Sequence, residues 1–129
     1  MISFCNATVW MVGSSQKFTT PSQIRLLVQD GDTIYLEGGI YVNDATKWRN
    51  KNLKFFGLGV GSNRTILRYS GDIPNGKGIF VFDTPGICDN PYLENIVFDG
   101  AQVSNANGGN GAGIRFEAKN ITVNNCKFN

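Results

Sequence analysis

In "DGDTIYLEGGIYVND", residues 30 to 44, a turn at Asp30-Gly31 opens a four-residue strand, "TIYL". A glycine pair follows, and a second strand, "IYV", begins at once. Two chain paths fit. One is a hairpin that reverses at Gly38-Gly39. The other is a corner between two short strands that never reverse, each pairing with an equivalent strand elsewhere.

The rest of the chain favours the corner. After residue 31 it is a series of short apolar runs rich in β-branched and aromatic residues, cut by Gly, Asn and Asp. These runs repeat. Leu93, Asn95, Ile96 and Phe98 match Val123, Asn125, Cys126 and Phe128 at a constant offset of 30. Gly76, Gly78 and Ile79 match Gly111, Gly113 and Ile114 at an offset of 35, and "KNLKFFG" (51 to 57) matches "KNITVNN" (119 to 125). Units of ~20–50 residues built from short strands mark a solenoid, with uneven offsets absorbed by loops such as "GAQVSNANGGNG" (100 to 111). The repeats predict about three to four parallel rungs over residues 31 to 129. Leu93, Ile96 and Phe98 are expected to lie under Val123, Cys126 and Phe128, all buried. Asn95 and Asn125 would stand at bends, where Asn tolerates left-handed backbone. "SQIRLLVQD" (22 to 30) is the one helical candidate, opened by Pro21 and amphipathic through Ile24, Leu27 and Val28.

Composition narrows the function classes. The chain has 129 residues, so one domain over 1–129 is expected. Apolar residues make up 41% and charged residues 17%, a balance typical of an ordered chain. Net charge is +2 with no basic stripe, which argues against a nucleic-acid partner. No apolar run is long enough to span a membrane. There are no histidines, so the commonest general base and zinc ligand are missing from this chain. Residues 1–7 read either as the tail of a secretory signal or as an ordinary first strand. Three cysteines leave Cys88 and Cys126 if Cys5 belongs to a signal, and their pairing is open. The glycines at 57, 59 and 61 do not have dinucleotide-loop spacing and read as a corner. Sequons stand at Asn6, Asn63 and Asn120.

The succession of a short amphipathic helix, "DGDTIYLEGGIY", "NLKFFGLG", "GKGIFVF", "ENIVFDG" and "GAGIRFEAKNITVNNCKF" resembles the pectate-lyase-like right-handed parallel β-helix repeat proteins. The resemblance covers about residues 8 to 129. It implies an all-β fold: a right-handed parallel β-helix (solenoid) with a short N-terminal capping helix over 22–30, belonging to the N-terminal part of a longer, secreted, periplasmic or surface protein. It implies polysaccharide, mostly acidic, as the ligand to be bound or processed. A non-catalytic surface scaffold, such as an adhesin or tailspike, is the alternative. Any lyase or hydrolase chemistry would lie outside this segment. The lyase members of the family use Ca²⁺, which the resemblance alone leaves open; no acidic cluster here is dense enough to supply its six to eight ligands, so the residues themselves predict no metal or other cofactor. An uncapped last rung would invite self-association.

Five residues are candidates for carbohydrate contact. Trp48 and Arg49 lie in a polar segment, where a ring can stack on a sugar and a guanidinium can pair with a carboxylate. Trp48 could equally lie over the core. Alternation in "GIFVF" places Ile79 and Val81 inward, so Phe80 and Phe82 point outward, either under a packed-down loop, the favoured reading, or as a sugar-stacking surface. Arg115 stands on the matching strand.

Overall fold

The computed structural model describes residues 7–109 and 111–129. Twelve strands are present among them: β1 Val9–Val12, β2 Thr33–Leu36, β3 Gly39–Val42, β4 Thr46–Lys47, β5 Lys54–Gly57, β6 Thr65–Arg68, β7 Gly78–Phe82, β8 Tyr92–Glu94, β9 Val97–Asp99, β10 Ala112–Phe116, β11 Thr122–Asn124 and β12 Lys127–Phe128. They form three sheets, and every strand pair is parallel. The first sheet has the order β1-β2-β5-β8-β11, the second β3-β6-β9-β12 and the third β4-β7-β10. From β2 onward the chain visits the three sheets in fixed rotation.

No hairpin forms in residues 30–44. β2 pairs with β1 and β5, and β3 pairs with β6. The expected fold class is nevertheless corrected. The molecule is an assembly of three all-parallel sheets and does not match a single right-handed β-helix closed by a capping helix. Residues 22–30 do not form the expected helix, and the longest helix among the described residues is the four-residue 3-10 turn Pro21–Ile24. The physical reason is local. Gln23 Oε1 accepts the backbone N–H groups of Thr19 and Thr20, which opens a turn. Past it only Ile24 and Val28 are buried, while Leu26 and Leu27 face solvent, so no continuous apolar stripe exists to sustain a helix. Asp32 Oδ2 then takes the Gln29 N–H. Asp44 holds the turn from outside by accepting from the Ser22 N–H and hydroxyl, and Arg25 Nε donates to the Lys47 carbonyl.

The 30-residue register is present. Leu93 pairs with Val123 and Phe98 with Phe128. Leu93, Ile96 and Phe98 are buried, as expected. Their partners are not: Val123 is 42% and Phe128 52% exposed, and Cys126 is intermediate. β11 and β12 are the outermost described strands of their sheets, so nothing described packs on their far side. Phe128 keeps one ring face on Phe98, with centroids 5.3 Å apart and planes 6° from parallel.

The core lies between the sheets. One inward column of the first sheet runs Ile34, Phe55, Leu93, and one of the second runs Tyr41, Leu67, Phe98. The third sheet contributes Phe80 and Phe82, whose rings both meet Phe55, with Phe80 also meeting Phe98 and Trp48. Full burial of such a side chain contributes about 1.5–3 kcal/mol. The buried Asp32 is satisfied at both oxygens, by the Thr8 N–H and by Trp10 Nε1 and the Gln29 N–H. Tyr41 donates from inside the core to the Glu37 carbonyl at 2.8 Å. Burial, with the Glu37 charge adding to it, pushes its hydroxyl up to about 12.

Asparagines make the corners. Asn52, Asn90, Asn95, Asn120 and Asn125 all have φ between 49 and 61°, the left-handed region that Asn tolerates best among side-chain-bearing residues. Between the third and first sheets, Asn120 Nδ2 donates to Asn90 Oδ1 and Asn90 Nδ2 to Asn52 Oδ1. Between the first and second, Asn125 Nδ2 donates to Asn95 Oδ1, and Asn95 Nδ2 to the Gly57 and Gly59 carbonyls. Gly57 and Gly59 form a packed corner rather than a phosphate cradle: a Cβ on Gly57 would meet the Asn95 carbonyl oxygen at 2.0 Å, and one on Gly59 the Asn63 carbonyl oxygen at 2.2 Å. The proposed signal tail lies almost wholly outside the described residues, as do Cys5 and the sequon at Asn6.

Candidate functional site

The structure divides the five candidate residues. Trp48, Phe80 and Phe82 are fully buried, so the outward orientation expected for the two phenylalanines is corrected. "GIFVF" is apolar on both faces, and alternation alone cannot choose between them. The larger face turns toward the rings of Phe55, Phe98 and Trp48, and places the two phenylalanines inside. Trp48 belongs to the same cluster, 4.9 Å from Phe55 and 5.3 Å from Phe80 between centroids. Its indole N–H has no hydrogen-bond partner among the described residues.

Arg49 and Arg115 stay outside, on two carboxylates that Lys77 links. Lys47 and Arg115 flank Val81 in register, one from β4 and one from β10. Asp83 follows β7, and three bases converge on it. Arg49 Nη1 lies 3.0 Å from its Oδ1; Lys77 Nζ and Lys47 Nζ lie 3.1 and 3.8 Å from its Oδ2. Lys77 also reaches Glu117 at 3.7 Å, and Arg115 Nε donates to Glu117 at 2.7 Å. The Asp83 side chain is only 9% exposed, whereas Arg49 and Arg115 are 43% and 41% exposed. Burial alone would raise the Asp83 carboxyl. The hydrogen bond and charge of Lys77, the Thr84 hydroxyl and Arg49 outweigh it and hold the group below the usual carboxylate range.

The charge balance of this face is uneven. It holds four of the twelve bases of the chain and two of its ten acids, leaving eight of each elsewhere. The whole net charge of +2 is therefore matched by the excess on the outer face of the third sheet. The four bases are 32–43% exposed, so their cationic groups can turn toward an arriving anion while the Asp83 carboxylate stays in place.

No protein-family model, curated protein or solved structure matches the chain. Nothing in these comparisons identifies a pectate-lyase-like protein.

The described residues contain no group of three or more His, Cys, Asp or Glu side chains placed to hold a metal ion. No described helix is long and apolar enough to cross a membrane. Cys88 and Cys126 are both free thiols, and burial pushes each of them up from the ordinary thiol range. Beside Gly38 and Ser14 lie two open clefts of about 290 and 390 Å³. Glu37 lines the second. Hydrogen bonds from the Ser15 hydroxyl and N–H and from Gln16 hold its carboxyl below the usual range.

One aromatic surface escaped the sequence reading. On the outer face of the first sheet, Tyr35 and Phe56 are in register with ring centroids 5.6 Å apart, and Tyr92 lies 5.5 Å from Phe56. All three are half-buried. The signal was present. In "TIYL" the buried pair is Ile34 and Leu36, in "NLKFFG" it is Leu53 and Phe55, and in "YLE" Leu93 is the inward residue. The same alternation sends Tyr35, Phe56 and Tyr92 outward.

Proposed function

We propose that this chain binds anionic polysaccharide, the ligand class implied by its resemblance to pectate-lyase-like proteins, on the outer face of the third sheet. The observation that carries this reading is the convergence of Lys47, Arg49, Lys77 and Arg115 on only two carboxylates, Asp83 and Glu117. A guanidinium offers paired donors suited to a uronate carboxylate or a sulfate, and Arg49 and Arg115 are the most exposed of the four bases. The four bases are 32–43% exposed and come from three strands and their flanks, a spread that suits a polymer better than a small enclosed ligand. Asp83 keeps the bases gathered in the absence of ligand. A ligand of this class implies action at a cell surface, in a periplasm or outside the cell.

The test is affinity electrophoresis through gels containing polygalacturonate, hyaluronan or neutral dextran. The expected result is retardation by an acidic polymer, weakening as salt rises, because exposed charge pairing is screened. The double variant Arg49→Gln, Arg115→Gln should lose most of that retardation while keeping its melting temperature. Equal mobility in all gels, or equal retardation by dextran, would overturn the reading.

A further inference from the structure

The basic face does not end at the third sheet. Between β4 and β5 the chain reads "KWRNKNLK", with bases at 47, 49, 51 and 54. Lys47 and Arg49 belong to the Asp83 network. Lys51 stands at the asparagine corner, with its backbone N–H fixed by Asp30 Oδ1 at 3.1 Å. Lys54 opens β5, beside Tyr92 in register and two residues before Phe56 on the same outer face. Lys51 and Lys54 are exposed, and neither forms an ion pair among the described residues. Eight residues of chain, Lys47 to Lys54, thus carry four positive charges from the third sheet round the corner to the aromatic array.

The array has a polar border of its own. Tyr92 donates its hydroxyl to Glu94 Oε1 at 2.6 Å, and Asn124 Nδ2 donates to the same oxygen at 3.1 Å. Glu94 pairs with Phe56 in register, so a carboxylate borders the rings. The hydrogen bond to Glu94 raises the Tyr92 hydroxyl above its ordinary range.

We propose that the array of Tyr35, Phe56 and Tyr92 is a subsite for an uncharged sugar unit of the same polymer whose anionic units sit along Lys47, Arg49, Lys51 and Lys54. This rests on the anionic-polysaccharide reading and narrows it. The C–H face of a pyranose packs on half-exposed rings, and its hydroxyls meet the Glu94 carboxylate and the Asn124 amide. Glu94 repels a uronate at that position, so it is the residue that sets specificity. The ligand class is a heteropolysaccharide in which neutral and anionic sugars are mixed, in preference to a polymer of uronate alone.

The experiment compares hyaluronan, which alternates uronate with a neutral sugar, with polygalacturonate of matched length, by calorimetry on the folded chain over a series of salt concentrations. The wild type should bind hyaluronan the more tightly. Tyr35→Ala should weaken hyaluronan about tenfold, the scale of one lost ring contact, and leave the salt dependence unchanged because no charge is removed. Glu94→Gln, which keeps the shape of the side chain, should narrow the preference by admitting a uronate. Equal binding of the two polymers, a preference for polygalacturonate, or unchanged hyaluronan affinity in Tyr35→Ala would overturn the subsite and leave the anionic-polymer reading standing, provided that Arg49→Gln, Arg115→Gln still weakens binding. If the wild type binds neither polymer, both proposals fall.

Discussion

β2 and β7 are both short apolar strands with a parallel partner on each side, yet they meet their surroundings differently. In β2, Ile34 and Leu36 are buried while Thr33 and Tyr35 are half-exposed, so one face looks into the core and the other at solvent. In β7 all five residues are buried. Its inner face carries Phe80 and Phe82. Its outer side carries Val81, flanked in register by the long bases Lys47 and Arg115, whose aliphatic stems can lie over apolar surface. Ile73 and Val103, from loops on either side of β7 and β9, are buried in the same cluster as Ile79. A strand covered on one side writes its orientation into the sequence as alternation. A strand covered on both sides does not, because nothing penalises an apolar residue at any position.

The comparison can be broken most directly at its aromatic residues. Phe80→Ala should cost about 3–5 kcal/mol in chemical denaturation, the price of emptying a fully buried ring site. Phe56→Ala should cost no more than about 1.5 kcal/mol, since its ring sits on the outer face between two half-exposed neighbours. Equal losses for the two variants would mean that the inside and outside of the sheets have been exchanged.

A smaller effect separates backbone from side chain at the corner between the first and second sheets. Asn95→Ala should destabilise by about 1–2 kcal/mol, because alanine resists the left-handed backbone that Asn95 adopts at φ 58°. Asn95→Gly relieves that strain but still loses the amide bonds to Gly57 and Gly59. It should therefore fall between wild type and Asn95→Ala in thermal melts. A glycine variant as damaged as the alanine one would assign the whole effect to the amide.

The smallest effect is expected on the outer face of β7 and depends on pH. Asp83 has a lowered folded-state pKa, so the stability it contributes is complete above the unfolded value of about 3.9 and is lost as pH falls through the folded one. Glu37, also lowered, acts in the same direction. Stability should hold from neutral pH down to about 5 and decline below about 4. Asp83→Asn should be slightly less stable at neutral pH and show a shallower acid decline. An unchanged acid slope would mean that Asp83 titrates alike in the folded and unfolded chain.

How much was legible follows from the same contrast. The parallel register of β8 with β11 and of β9 with β12 could be read because Asn and apolar residues recur at one offset, and each corner needs its Asn for backbone reasons. The helix over 22–30 does not form, since only Ile24 and Val28 of its expected apolar face are buried and the buried Asp32 claims the Gln29 N–H. Arg49 and Arg115 were visible as surface bases. Their convergence with Lys77 on Asp83 and Glu117 was not, because it joins residues from three separate strands and their flanks. Tyr35, Phe56 and Tyr92 were there to be read in the alternation, but Phe80 and Phe82 drew the aromatic reading to the wrong strand.

The asparagine corners have a consequence for how such a chain can change over generations. Asn52 and Asn90 are 38 residues apart and Asn90 and Asn120 are 30 apart, yet the same amide-to-amide bond joins each pair. The corner registers where the chain arrives and is indifferent to the length of the path taken. Insertions and deletions in the connecting loops can therefore accumulate without shifting the sheets, so long as an asparagine returns to the corner. Loop length becomes a free variable for natural selection, and new surface chemistry can be tried on the connections while the strands keep their partners.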